Sequence, residues 1–307
     1  MQAKVLLGIH EDLGYFLAAM AAVEDLKIKN PDLLIDIAIP NKEQADYAKH
    51  AWFTSKIYTT VLGDVPDAAQ YEFVHLMTSN EEITKTEELR LRAEAKSDID
   101  EQIEKVAKER DLDPTKIAKP DDYAKLDPEA PPIWNIVCGY CYSLANACGL
   151  ACMVNPEDPK PWLYTPSKDV SNKYLHTNKE TIRPGCPYVV VDNYDFFSNL
   201  DTTIIYPKGW EWVEVDEATM SPLLIAALIT NQRCKLVIGP TKGAVYMAWT
   251  AGKPLLEVVP SKEESLWDIT RAKRRTVVTS LAPNFAQQFE EVTRKVFTKE
   301  CQIHWQD

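Results

Sequence analysis

Residues 235–259 read KLVIGPTKGAVYMAWTAGKPLLEVV, and this stretch decides the fold. KLVIGP at 235–240 is a short apolar run rich in β-branched residues that breaks at Gly239-Pro240. GAVYMAWTAG at 243–252 is apolar without an internal breaker and ends at Gly252, as a short buried helix does. PLLEVV at 254–259 is a second strand-like run. Strand, helix, strand in so few residues predicts a βαβ unit of a parallel sheet. The loop Gly239-Pro240-Thr241-Lys242-Gly243 runs straight into the helix, so its free backbone N–H groups and the helix dipole face the strand ends. That arrangement suits a diphosphate. Thr241 offers a hydroxyl, Lys242 a point charge, and Gly243 lets a ligand approach the backbone. The spacing is not that of a Walker loop. An ordinary tight strand-to-helix turn would use the same residues without a ligand.

Outward from this unit the same rhythm continues. PYVVVDNY at 187–194 and TTIIYP at 202–207 predict strands, and SPLLIAALITNQ at 221–232 predicts a helix capped by Ser221 with Pro222 at its first position. NFAQQFEEVTRKVFTK at 284–299 is a last amphipathic helix. The first half repeats the pattern: strands at 3–9, 33–39, 56–62 and 71–77, with helices at 15–29 and 41–50. Residues 81–129 differ. They hold sixteen acidic and ten basic residues, half of the chain's net charge of −12, and predict a solvated helical pair inserted in the first domain. WNIVCGYCYSLANACGLAC at 134–152 reads as an apolar helix, and the turn-rich NPEDPKPW at 155–162 as the linker. The expected organisation is a first Rossmann-like domain over 1–155 and a second over 156–307. Between two such sheets lies a cleft, and ligands of open α/β sheets sit at the carboxyl ends of the strands.

Composition excludes other classes. At 45% hydrophobic and 26% charged, the 307 residues are too apolar for a disordered chain and suffice for about two domains. No run approaches the roughly 18 apolar residues of a membrane helix, and Glu11 and Asp12 interrupt any leader-like stretch. Seven cysteines without an export signal read as reduced thiols in a cytoplasm. Cys138, Cys141, Cys148 and Cys152 carry metal-like spacings. On one continuous helix, however, Cys138 and Cys148 would stand about 15 Å apart, too far for one zinc ion with bonds of about 2.3 Å. No metal and no cofactor is expected.

The 235–259 segment resembles the C-terminal motif of the ADP-heptose:lipopolysaccharide heptosyltransferases, glycosyltransferase family nine. Val237, Ile238, Gly239, Gly243, Met247, Ala248, Gly252 and Pro254 fall in its register without a gap. At the N-terminus Leu13, Gly14, Leu17, Leu26 or Lys27, and Pro31 keep the family's spacing, and KPWLYTPSKD at 160–169 is similar to its entry into the second domain. The resemblance spans about two-thirds of the chain. It implies the GT-B architecture: two Rossmann-like domains facing a cleft, the last helix crossing back onto the first. It also implies a nucleotide-sugar donor in the C-terminal half and inverting transfer without a required metal.

The departures fall on the chemistry. Tyr15 stands where the family has the acidic residue expected to act as base, Thr241 replaces its Asp, Lys242 its Ser/Thr, and Tyr246 its His. A base must then come from elsewhere. Asp12 is the first candidate and Glu11 the second, with His10 to orient one of them or touch the donor; capping of the first helix is the competing role for Asp12. Gly239, Thr241, Lys242, Gly243, Tyr246 and Glu257 are the donor-side candidates. Gly14, Tyr15, Asp192 and Asn193 are further candidates for donor or acceptor contact, the last two also being explained by an Asx turn at a strand end. The acceptor is a saccharide or, since viral DNA-modifying glycosyltransferases share the architecture, a hydroxymethylated DNA base. The net charge opposes a duplex acceptor unless Arg271, Lys273, Arg274, Arg275, Arg294, Lys295 and Lys299 line the cleft. A non-catalytic nucleotide- or sugar-binding relative is the alternative.

Overall fold

The computed structural model describes residues 3–120, 135–154, 159–178, 182–200, 202, 204–240, 243–260 and 275–302. The first sheet is built from β1 (Lys4–Gly8), β2 (Leu34–Ala38), β3 (Lys56–Tyr58) and β4 (Phe73–Leu76) in the order β3-β2-β1-β4. Helices α1 (Leu13–Lys29) and α2 (Lys42–Ala48) make its crossovers. The second sheet runs β6-β5-β7-β8-β9, from β5 (Tyr188–Asp192), β6 (Glu211–Val215), β7 (Cys234–Gly239), β8 (Leu255–Val259) and β9 (Arg275–Thr279). Every pairing in both sheets is parallel. Parallel strands covered on both faces read as continuous apolar runs. Accordingly β5 (YVVVD) and β8 (LLEVV) are buried at every position.

The remaining helices are α3 (Glu81–Arg110), α4 (Ile136–Cys148), α5 (Lys168–Thr177), α6 (Tyr194–Asn199), α7 (Pro222–Thr230), α8 (Gly243–Thr250) and α9 (Phe285–Cys301). Three expectations are corrected. The strand expected at 202–207 is irregular over 204–207, and the neighbour of β5 is instead EWVEV, β6. In place of a helical pair, the described part of the charged segment holds one 30-residue helix, α3. Asn80 caps it by accepting the Ile83 N–H, and the left-handed Asp111 ends it at φ 52°. Residues 121–129 of that segment lie outside the described residues. The last helix does not lay its apolar face on the first sheet. Phe285, Phe289, Val296 and Phe297 of α9 pack with Val189, Leu236, Ile238 and Leu256 of the second.

α1 is buried at Leu13, Gly14, Phe16 through Val23, and Leu26. This near-complete burial follows from its neighbours, because α1 packs on α4 and α8 as well as on its own sheet. One apolar cluster therefore joins the two sheets, from Val5 and Leu7 to Val237 and Met247. The segment at 161–164 fastens the join. Trp162 N–H donates to Leu17 O (2.9 Å), and Thr250 Oγ1 donates to Pro161 O (2.9 Å). The Tyr47 hydroxyl both accepts from Tyr164 N and donates to Tyr164 O, each at 3.0 Å, while its ring lies 5.1 Å from that of Trp162. Tyr47→Phe strips both bonds from part-buried backbone groups. It is expected to lower unfolding stability by about 1–3 kcal/mol, measured as a lower urea midpoint at unchanged slope.

Candidate active site

The site forms where the first turn of α1 meets the first turn of α8. β1 delivers the chain to His10-Glu11-Asp12, and Asp12, extended at φ −65° and ψ 173°, caps α1 by accepting the Tyr15 N–H at 3.3 Å. The helix thus begins at Leu13, two residues earlier than the sequence pattern predicts. From the other lobe, β7 ends at Gly239 and α8 begins at Gly243. Two glycines let the helices close. A Cβ on Gly14 would lie 2.9 Å from the Tyr246 ring and 3.4 Å from the Gly243 nitrogen; one on Gly243 would lie 2.5 Å from Leu13 Cγ.

Two helix N-termini, each carrying partial positive charge, are thereby brought together, and a carboxylate of the chain answers each. Asp12 serves α1. On α8, Glu217 Oε1 accepts the Ala244 N–H at 3.2 Å. Sequence reasoning missed Glu217: it lies in the loop after β6, and nothing near it in the sequence points to α8. Gly243 is buried beneath Leu13, which corrects the expectation that its amide opens freely onto a crevice. Thr241 and Lys242 lie outside the described residues.

The titratable groups around this junction shape one another. Asp12 is exposed and Glu11 half-buried. Burial raises the Glu11 carboxyl above the usual carboxylate range; the Tyr140 hydroxyl of α4 opposes this, the Asp12 charge adds to it, and His10 opposes it. Burial, then the charges of Asp12 and Glu11, push the Tyr15 phenol up to about 12. Tyr15 therefore stays protonated near neutrality. Tyr246 is only 2% exposed, and burial followed by the nearby Glu257 charge holds its phenol protonated too. It packs under Gly14 as part of the core.

The other candidates are placed as follows. His10 is exposed and turns toward the 62–64 turn, where its Nε2 accepts the Leu62 N–H at 3.1 Å. Glu257 sits inside β8 and is fully buried; Arg275 of β9 directs Nε and Nη2 onto its Oε2, both at 2.6 Å. Asp192 ends β5 at 1% exposure and packs against Gly239, where a Cβ would come within 2.7 Å of its own. Asn193 takes a left-handed backbone, φ 56°, starts α6, and donates its N–H to Val215 O at 3.0 Å. Glu11, Asp12, Gly14, Tyr15, Gly243 and Tyr246 are thus gathered at one junction, whereas His10, Asp192 and Asn193 serve their own lobes. An open cavity of ≈ 580 Å³ lies beside β6, lined by Tyr174, Ile182, Trp212, Glu214, Asp216 and Met220. It adjoins the loop that carries Glu217 and contains none of the residues singled out from sequence.

No family model and no curated protein sequence matches the chain. Solved structures do. E. coli ADP-heptose LPS heptosyltransferase II superposes with a TM-score of 0.56 at 11% identity, over 96% of this chain and 99% of that one. A glycosyl transferase of family 9 from Veillonella parvula DSM 2008 superposes with a TM-score of 0.53 at 9% identity, over 96% and 90%. The fold is GT-B. Both neighbours are aligned along nearly their whole length, so the two parallel sheets belong to one GT-B architecture. Among the described residues, no helix is long and apolar enough to cross a membrane.

Proposed function

We propose that the chain is an inverting glycosyltransferase that moves a sugar from a nucleotide-diphosphate donor to an acceptor hydroxyl. The observation that carries this reading is the meeting of two helix N-termini beside an exposed carboxylate, Asp12. The donor's diphosphate takes the place of the Glu217 carboxylate at α8, with Lys242 supplying further positive charge. The acceptor O–H gives its proton to Asp12 as its oxygen attacks the anomeric carbon. The bond from that carbon to the diphosphate breaks, and the leaving group keeps the electron pair, stabilised by the α8 amides. The donor of the E. coli neighbour is named as ADP-heptose, which makes ADP-sugars the first to test.

A saccharide is the favoured acceptor. Of the basic residues that would have to meet DNA, Arg275 is committed to Glu257, while Arg294, Lys295 and Lys299 pair with Glu290, Glu291 and Glu300. Arg271, Lys273 and Arg274 lie outside the described residues. The experiment is transfer from a panel of nucleotide sugars to lipid-linked saccharides and to hydroxymethylcytosine DNA. Transfer to neither, with any donor, overturns the proposal.

One observation favours a non-catalytic nucleotide binder instead: where the resembling family carries an acidic residue and a His, this chain has the protonated Tyr15 and the buried Tyr246. Two variants test the donor site in either reading. Glu217→Ala removes the competing carboxylate and is expected to tighten nucleoside-diphosphate binding roughly three- to tenfold. Lys242→Ala removes a charge-assisted contact and is expected to weaken it by about tenfold or more. Calorimetric titration reads both, and unchanged affinity in both removes the diphosphate from this helix end.

A further inference from the structure

Three groups with metal-ligating atoms meet far from the α1–α8 junction. Cys141 of α4, Cys152 beyond it and Asp25 of α1 each offer one ligand atom, and these atoms lie within 4.8 Å of one another. The sequence argument against a metal placed Cys141 and Cys152 on one continuous helix. α4 in fact ends at Cys148, Gly149 turns the chain at φ 63°, and Cys152 comes back onto Cys141.

We infer that Asp25, Cys141 and Cys152 form a binding site for a thiophilic divalent cation, zinc foremost, with solvent as the fourth ligand. Two thiolates and one carboxylate suit zinc in charge and softness. Ligands about 2.3 Å from a tetrahedral ion stand about 3.8 Å apart, so the observed spacing needs a closure of about an ångström at most.

The surroundings are also those of a ligand set. The Met153 N–H donates to Asp25 Oδ2 at 2.7 Å, fixing one carboxylate oxygen. The Val154 N–H bonds the Cys141 sulfur, and outer bonds of this kind orient ligands. Asp25 is half-buried and Met153 exposed, which gives an ion a way in, while both sulfurs are buried. Asp25 lies 13 residues beyond Asp12, about 20 Å along the helix. The ion would therefore clamp α1, α4 and the 149–154 segment together and take no part in transfer. Loading must release the thiol protons, so affinity rises with pH.

The test is a Co²⁺ titration of the full chain kept reduced with a phosphine, followed by displacement with Zn²⁺. The expected result is a 1:1 thiolate-to-cobalt charge-transfer band that strengthens with pH, bleaches with zinc, and disappears in Cys141→Ser and Cys152→Ser. Asp25→Asn keeps an acceptor for Met153 N–H and guards against misfolding of the buried variants; it is expected to bind about tenfold more weakly or worse. Cys186→Ser is expected to change nothing. Three results would overturn the site: no band, a band that survives Cys152→Ser, or a Cys141–Cys152 disulfide on mild oxidation with no metal uptake by the reduced protein.

Discussion

Asp12→Asn is expected to lower kcat by about 10²- to 10⁴-fold, the usual worth of a general base, while leaving the melting temperature almost unchanged. The two roles of Asp12 separate cleanly in this variant. Asparagine caps a helix about as well as aspartate, so the bond from Tyr15 N–H is retained, but an amide takes no proton. Asp12→Ala loses both roles and adds a stability loss of about 1 kcal/mol. Steady-state kinetics with the preferred donor, beside a thermal melt, reads the two together. An Asp12→Asn enzyme at full kcat transfers the assignment to Glu11, whose raised carboxyl then predicts an acidic limb above the ordinary carboxylate range. Glu11→Gln is the corresponding variant.

Arg275→Met is expected to be the most destabilising single change considered, at about 3–5 kcal/mol. Glu257 is completely buried and Arg275 nearly so, and Nε and Nη2 of the guanidinium both close on Glu257 Oε2. Removing the cation leaves a carboxylate in the core of the second sheet beside the Tyr246 phenol. The double variant Glu257→Gln, Arg275→Met is expected to recover a large part of the loss, because a buried pair costs desolvation as well as gaining attraction. Urea unfolding of the single and double variants measures this. A single variant as stable as the parent would mean that the pair carries no weight in the fold.

The parallel sheets were legible because their central strands are short, largely apolar runs between turn residues. β6 was not, since an edge strand with half-exposed Trp212 and exposed Glu214 carries no such run. TTIIYP misled for the opposite reason: its β-branched residues favour a strand locally, and among the described residues of that segment none takes a sheet position. β9 was hidden inside what reads as a basic cluster, because only the folded sheet reveals that Arg275 faces Glu257. α5 buries only Ser171 and Leu175, too few to mark an apolar stripe.

At the site, the capping role of Asp12 and the strand-end positions of Gly239 and Asp192 follow from turn and helix chemistry, whereas the close packing of Gly14 and Gly243 does not. Nor do Glu217 and Tyr140, since each reaches the junction from elsewhere in the chain. Cys152 escaped for a similar reason: the glycine that ends α4 was read as part of the helix.

The central claim is that a nucleoside diphosphate binds at the N-terminus of α8 in place of Glu217. Amide NMR of the ¹⁵N-labelled chain, titrated with ADP and UDP, tests it most directly. The account predicts saturable shifts at Gly243 and Ala244 that are larger in Glu217→Ala. Saturation that moves the amides around Trp212 and Met220 but leaves Gly243 and Ala244 untouched would contradict it.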